Sequence, residues 1–174
     1  MQSRTITLKG ISPLLMHAFP MTPIEAIEKK SPEEQARLSE YRSPDGMLFI
    51  PGVAIQRTLV NAATYSKGKG RGSLVKIAAA CLMVTPEINI IDPQKYVVDA
   101  RPIVNPTTRG RTMRFRPRFD SWQVSFRLDW DENLMTEAQV RRIVDDGGSR
   151  VGLLDFRPAC KGPFGRFMVT EWKE

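Results

Sequence analysis

Between Arg101 and Arg118 the chain carries six arginines, Arg101, Arg109, Arg111, Arg114, Arg116 and Arg118, and no acidic residue, with Phe115 and Phe119 interleaved with the last of them. A guanidinium stays charged at any relevant pH and forks two donors toward a phosphate, and an aromatic face stacks on an unpaired base. Neighbouring cations repel one another unless an anion separates them. The stretch therefore points first to nucleic acid; the plainer alternative is an ordinary solvated hairpin.

Two glycine-containing segments add cations. Gly68-Lys69-Gly70-Arg71-Gly72 combines backbone that can approach a ligand closely with the charges of Lys69 and Arg71. Lys161-Gly162-Pro163-Phe164-Gly165-Arg166 does the same with Lys161 and Arg166, its amides close enough to meet phosphates. Each reads equally well as a connector. Neither has the fixed spacing and terminal Lys-Ser/Thr of a phosphate-cradling P-loop, so nucleotide hydrolysis finds no support.

Other reactive side chains are sparse. His17, the only histidine, follows Leu14-Leu15-Met16, where a packed structural role is the ordinary one. Asp45 sits in a turn and Asp92 beside a proline, without a second carboxylate at a telling distance for magnesium. One histidine and two dispersed cysteines argue against a zinc site, and no cofactor is expected. Cys81, in an apolar run, reads as a small buried hydrophobe and Cys160 as a free thiol. Asp145-Asp146 answers Arg141 and Arg142 one turn back on a solvated face. Trp122, Trp130 and Trp172 read as core or sheet-face residues rather than base platforms.

With 174 residues, 41% of them hydrophobic, the chain can bury one respectable core, so one domain over residues 1–174 is expected, with excursions at about 20–45 and 96–122. A formal charge of +7 and a pI near 9.7 imply affinity for polyanions. No apolar run approaches the roughly 20 residues that cross a bilayer, and residues 1–9 lack the regions of a secretory signal. A soluble cytoplasmic protein with no membrane partner is the expectation.

Residues 5–8 alternate as a strand, and proline at Pro23 and Pro32 starts two short surface helices. Met47 to Ile50 reads as a buried strand. It runs through Pro51-Gly52 into a helix whose broad apolar side is Val53, Ile55, Leu59, Val60 and Ala63. The free amides at that helix start could hold a phosphate or only a cap. Residues 77–91 read as a core strand broken by Pro86. Residues 96–104 and 123–128 alternate and suggest a long hairpin, its far end projecting past the core and its tip at 105–110. Thr136 caps a helix ending at Gly147-Gly148, and Phe167 to Trp172 forms the closing strand. The order suits an α+β fold, a ferredoxin-like or RRM-like antiparallel sheet with two helices on one face, a protruding arginine-rich hairpin and an N-terminal helical insertion.

Three features in this order resemble the RAMP superfamily, ferredoxin-fold proteins that include the repeating backbone subunit of CRISPR effector complexes. They are the first strand opening into Leu8-Lys9-Gly10-Ile11-Ser12-Pro13-Leu14-Leu15, the turn Phe49-Ile50-Pro51-Gly52-Val53-Ala54-Ile55-Gln56, and the loop Lys161-Gly162-Pro163-Phe164-Gly165-Arg166-Phe167. The basic hairpin lies where family members carry a thumb. The chain departs from the pattern in being shorter than most backbone subunits and in its sparse, proline-containing glycine loop; a reduced phage or mobile-element relative is as compatible as an effector subunit.

The resemblance implies a non-catalytic protein that binds single-stranded RNA, or DNA, and forms a homo-oligomer along the strand, with other CRISPR effector subunits as possible partners. It directs attention to Lys69, Arg71, Arg101, Arg109, Arg111, Arg114, Arg116, Arg118, Lys161 and Arg166. Two alternatives stay open. Some RAMP ribonucleases use a histidine on the RNA 2′-hydroxyl, so His17, with Lys161 or Arg166 stabilising the phosphorane-like charge, would make a metal-independent endoribonuclease. An interaction protein that mimics or docks into a host CRISPR complex is the other.

Overall fold

Strand β1 (Gln2–Gly10) opens the chain and buries Ile6 and Leu8 while exposing Thr5 and Lys9. The computed structural model describes every residue except Lys69, Arg71 and Pro106. Strand β2 (Leu14–Leu15) follows, then helices α1 (Ile24–Glu28) and α2 (Pro32–Leu38), each led by proline as the sequence suggests. Ser31 and Glu34 close a reciprocal capping box on α2.

Strand β3 (Phe49–Pro51) passes directly into α3 (Gly52–Ala62), the predicted junction. Ile55, Thr58, Leu59 and Ala62 are buried, whereas Val53 is 66% exposed and not part of the inner side. Val53 stands one turn from Arg57, so it shares the polar side of the helix rather than the side of Ile55.

The expected core strand over residues 77–91 is instead helix α4 (Val75–Cys81) followed by strands β4 (Met83–Thr85) and β5 (Ile88–Asp92). Ala78, Ala79 and Ala80 have the highest helix propensity of any residue, and the β-branched residues are concentrated after them.

Strands β6 (Val97–Val104) and β7 (Arg111–Phe119) form the arginine-bearing hairpin. The second arm is thus the arginine segment itself, not residues 123–128. Those belong to β8 (Gln123–Trp130), which pairs with β1 in the other sheet. The hairpin is also less free than expected, because β2 pairs with the other edge of β7 and α2 packs against it. Helix α5 (Glu137–Asp146) has the Thr136 cap, completed by Gln139; a π turn, Gly147–Val151, continues it past the predicted glycine stop. Strand β9 (Phe167–Lys173) closes the chain.

Two antiparallel sheets result. A six-stranded sheet runs β3-β5-β8-β1-β9, with β4 also on β8, and a three-stranded sheet runs β2-β7-β6. Ile6 lies opposite Phe126, and Leu8 opposite Val124. These residues share one core with Ile55 and Leu59 of α3 and Val140, Ile143 and Val144 of α5, so both helices cover the same face of the large sheet. Its other face is polar there: Thr7 Oγ1 lies 2.8 Å from Ser125 Oγ and donates to Glu171 Oε2 at 2.9 Å. Trp122 and Trp130 are buried in the core, as is Cys81, and Cys160 is exposed. No helix among the described residues is long and apolar enough to cross a membrane.

Candidate nucleic-acid interface

Alternation along β7 puts Arg114, Arg116 and Arg118 on one side of the strand. Their environments differ. Arg116 is 6% exposed and pairs with Asp155. Arg118 donates to Asp99 at 3.0 Å and to Asp120 at 2.7 Å. Arg101, across from Arg114, donates to the same buried Asp99 at 2.8 Å and stacks 4.7 Å from the Phe164 ring centre. Three of the six hairpin arginines are therefore neutralised inside the protein. Arg109 at the tip, Arg111 and Arg114 have no carboxylate partner among the described residues.

The remaining predicted cations separate as well. Lys161 and Arg166 are both exposed, at opposite ends of the last loop. The amides of that loop are already engaged: Gly162 N donates to Arg157 O, Phe164 N to Phe156 O and Gly165 N to Pro13 O. Gly165 takes φ +74, and a Cβ there would stand 2.1 Å from the Leu153 carbonyl oxygen, so glycine is required by backbone packing. This loop is built as a tight connector. Lys69 and Arg71 lie outside the described residues. The start of α3 is likewise occupied by the protein, since Glu87 Oε2 accepts from Val53 N at 3.1 Å and Glu87 O from Gly52 N at 2.8 Å.

The structure gathers a different set around His17. An open cleft of about 560 Å³ lies beside the first turns of α3, lined by His17, Tyr41, Phe49, Arg57, Asp155 and Arg157 among others. The Tyr41 and Phe49 rings stand 6.0 Å apart at 56°. Thr58 Oγ1 donates to Gly152 O at 2.9 Å and so fastens α3 to the loop that delivers Asp155 and Arg157. In that loop Leu154 (φ 58) and Phe156 (φ 45) both occupy the left-handed region on either side of Asp155. Such backbone costs of order 1–3 kcal/mol per residue and persists where surrounding contacts enforce it, typically at functional sites.

Asp155 receives both Arg116 and His17, whose Nδ1 is 3.4 Å from Oδ2. Burial pushes the Asp155 carboxyl up, but hydrogen bonding from His17 and the charge of Arg116 more than offset it and hold it below the usual carboxylate range. The acid under the groove is therefore ionised yet neutralised from behind. Arg157 donates to Leu154 O at 2.8 Å, while its buried Nε has no partner among the described residues.

His17 also lines a second, mostly apolar hollow of about 200 Å³, between the helices α1 and α2 and the hairpin residues Ile103, Arg114 and Phe115. His17 is thus the side chain common to both depressions, one on the α3 side and one on the hairpin side. Arg57, Arg157, Tyr41, Phe49 and Asp155 were not singled out from the sequence. Only Arg57 had a signal, its place on the polar side of a predicted helix. Among the described residues no three His, Cys, Asp or Glu side chains gather as a metal site would require. No protein-family model matches this chain, and no curated protein matches it either.

Proposed function

We propose that this protein binds single-stranded nucleic acid, RNA in the first place, without cleaving it, and assembles along the strand in copies. We further infer a ferredoxin-like fold similar to the RAMP superfamily. The order β5-β8-β1-β9, with α3 and α5 on one face, is that of two interlocked β-α-β units and supports this reading. The junction Phe49 to Gln56 and the closing glycine loop add sequence support.

One observation carries the functional reading: the depressions on either side of His17 are lined by Arg57, Arg157 and Arg114, and the one next to them by Arg111, none paired with a carboxylate among the described residues, while of the acids there Asp155 is neutralised by Arg116, Glu87 accepts from the Val53 amide, and Glu28 lies beside Arg111. Free cations attract phosphates and release counterions, and Tyr41 and Phe49 offer rings on which unpaired bases stack. Backbone contacts of this kind are indifferent to sequence.

Fluorescence anisotropy with a labelled single strand over a range of salt tests the reading. If four phosphates are engaged, log K falls against log salt with a slope of roughly −3. More copies should bind as the strand lengthens. Absence of binding to any single strand at low salt refutes the proposal.

The His17–Asp155 pair favours a second reading, a metal-independent endoribonuclease, because a carboxylate at Nδ1 orients an imidazole for proton transfer through Nε2. It predicts RNA cleavage in EDTA that His17→Ala abolishes. Undiminished cleavage by His17→Ala excludes it.

A further inference from the structure

The cleft on the α3 side gathers two guanidiniums at one place. Thr58 Oγ1 donates to the Gly152 carbonyl at 2.9 Å, and this bond ties the helix that bears Arg57 to the loop that bears Arg157. Both arginines line the cleft, and neither has a carboxylate partner among the described residues. Arg157 donates to the Leu154 carbonyl at 2.8 Å, which holds its fork against the loop, whereas Arg57 is exposed. Two carboxylates also line the cleft. Asp155 is engaged by Arg116 and His17. Glu87 has no cationic partner among the described residues, and its Oε2 is held 3.1 Å from the Val53 amide. The wall it shares with Pro51, Val53 and Ala54 therefore carries an acid and no cation. A volume of about 560 Å³ lies in the range that buries a small ligand and is enough for one nucleotide with its phosphate.

We infer that this cleft receives the phosphorylated end of a strand, with the terminal phosphomonoester on Arg57 and Arg157. The inference rests on the single-strand reading above and deepens it. A phosphodiester inside a strand carries one negative charge, whereas a phosphomonoester carries roughly 1.5 to 2 near neutrality and has three free acceptor oxygens. Two guanidinium forks match the second and exceed the first. An internal phosphate would also lead its neighbour toward Glu87, and a terminal one has no such neighbour. The hairpin-side hollow differs, since Arg114 is the arginine that lines it and its volume is about 200 Å³. Each copy bears the α3-side cleft, and the copy at the phosphorylated end fills it with a phosphomonoester, so assembly starts at that end.

The test uses three oligoribonucleotides of one sequence, labelled at an internal base and short enough to hold one copy. They end in a 5′-phosphate, in a 3′-phosphate or in hydroxyls at both ends, and binding is read by anisotropy at fixed salt. At least one phosphorylated strand is expected to bind about tenfold or more tightly than the hydroxyl-ended strand, and which one does so gives the direction of the strand. Arg57→Gln should reduce that preference to about twofold or less, whereas Arg114→Gln on the hairpin side should weaken all three strands alike and keep the preference. Equal binding of the three strands by the native protein overturns the end site while leaving strand binding standing. A preference that survives Arg57→Gln intact overturns it as well. A nucleoside monophosphate that displaces the phosphorylated strand at equal concentration would make the cleft a free-nucleotide site and overturn the strand-end assignment. Failure of all three strands to bind at low salt overturns the strand reading and this inference together.

Discussion

Replacing Arg116 with methionine probes how the groove floor is held. Arg116 is 6% exposed and meets Asp155, whose side chain is 35% exposed. Methionine keeps much of the stem and removes the charge, leaving Asp155 without its main counterion. Breaking a buried pair from one side costs about 3–5 kcal/mol. A third of Asp155 faces solvent and His17 stands 3.4 Å away, so we expect a smaller loss of about 2–3 kcal/mol. For 174 residues that lowers Tm by roughly 4–12 °C.

The sign with pH follows from the carboxyl. In the native protein it is depressed, so it adds stability above its unfolded pKa of about 3.9 that is lost as pH falls through the folded value. In Arg116→Met burial pushes the same carboxyl up, opposed by His17 and the Phe156 backbone but no longer by a guanidinium. The fold then holds the ionised form less firmly than the native protein does, and the deficit is greatest near neutrality. Acidification protonates Asp155, and that change shrinks the deficit. Urea denaturation at about pH 7 and about pH 5 measures this, with Arg116→Met/Asp155→Asn closing the cycle. Most of the lost stability should return in the double variant. Equal losses in single and double variants, or a deficit that does not change with pH, would refute the reasoning.

Three further outcomes are expected. Arg111→Ala and Arg114→Ala should each flatten the salt dependence of strand binding by about 0.7. Arg118→Ala should change it less, since Asp99 and Asp120 already meet that charge; equal slopes in anisotropy titrations would erase the distinction between paired and free cations. Gly165→Ala should cost more than about 3 kcal/mol in urea denaturation, because left-handed backbone and collision with the Leu153 carbonyl act together; a loss under about 1 kcal/mol would mean the loop is not pinned there. Burial, then the hydrogen bond to Glu40, pushes the Tyr96 hydroxyl up to about 12, so its stability contribution is complete below the unfolded pKa of about 10 and lost as pH rises to about 12. The advantage of the native protein over Tyr96→Phe should vanish across that interval, and a difference independent of pH would contradict the assignment.

Features set by near neighbours in sequence were readable. The Pro-Gly passage from β3 to α3 and the Thr136 cap needed only local chemistry. Alternation in β7 was present too, but its charges and Pro117 disguised a strand that lies half against other elements. Arg114 and Arg116 are the same residue type two positions apart on one strand. Only the arrival of Asp155, 39 positions further on, makes one a buried counterion and leaves the other at the groove. His17 attracted attention as a lone histidine. Its carboxylate partner and the rings of Tyr41 and Phe49 are assembled by tertiary contacts that no spacing encodes.

The hairpin departs from the large sheet after Asp92 and returns at Gln123, and those two residues are paired neighbours, with Gln123 Nε2 3.2 Å from Asp92 Oδ2. Just inside, Tyr96 and Phe119 meet edge to face at 5.8 Å and clasp the base of the excursion. The large sheet therefore keeps its register whatever the excursion's length. Two residues inserted in each arm near residues 105–110 would preserve the facing of every side chain below and extend the reach by about 7 Å. The entropic penalty of such an insertion grows only with the logarithm of loop length. Insertions and deletions of that even kind are the variation this architecture absorbs most readily, and odd ones would turn the arginines at the tip to the opposite side.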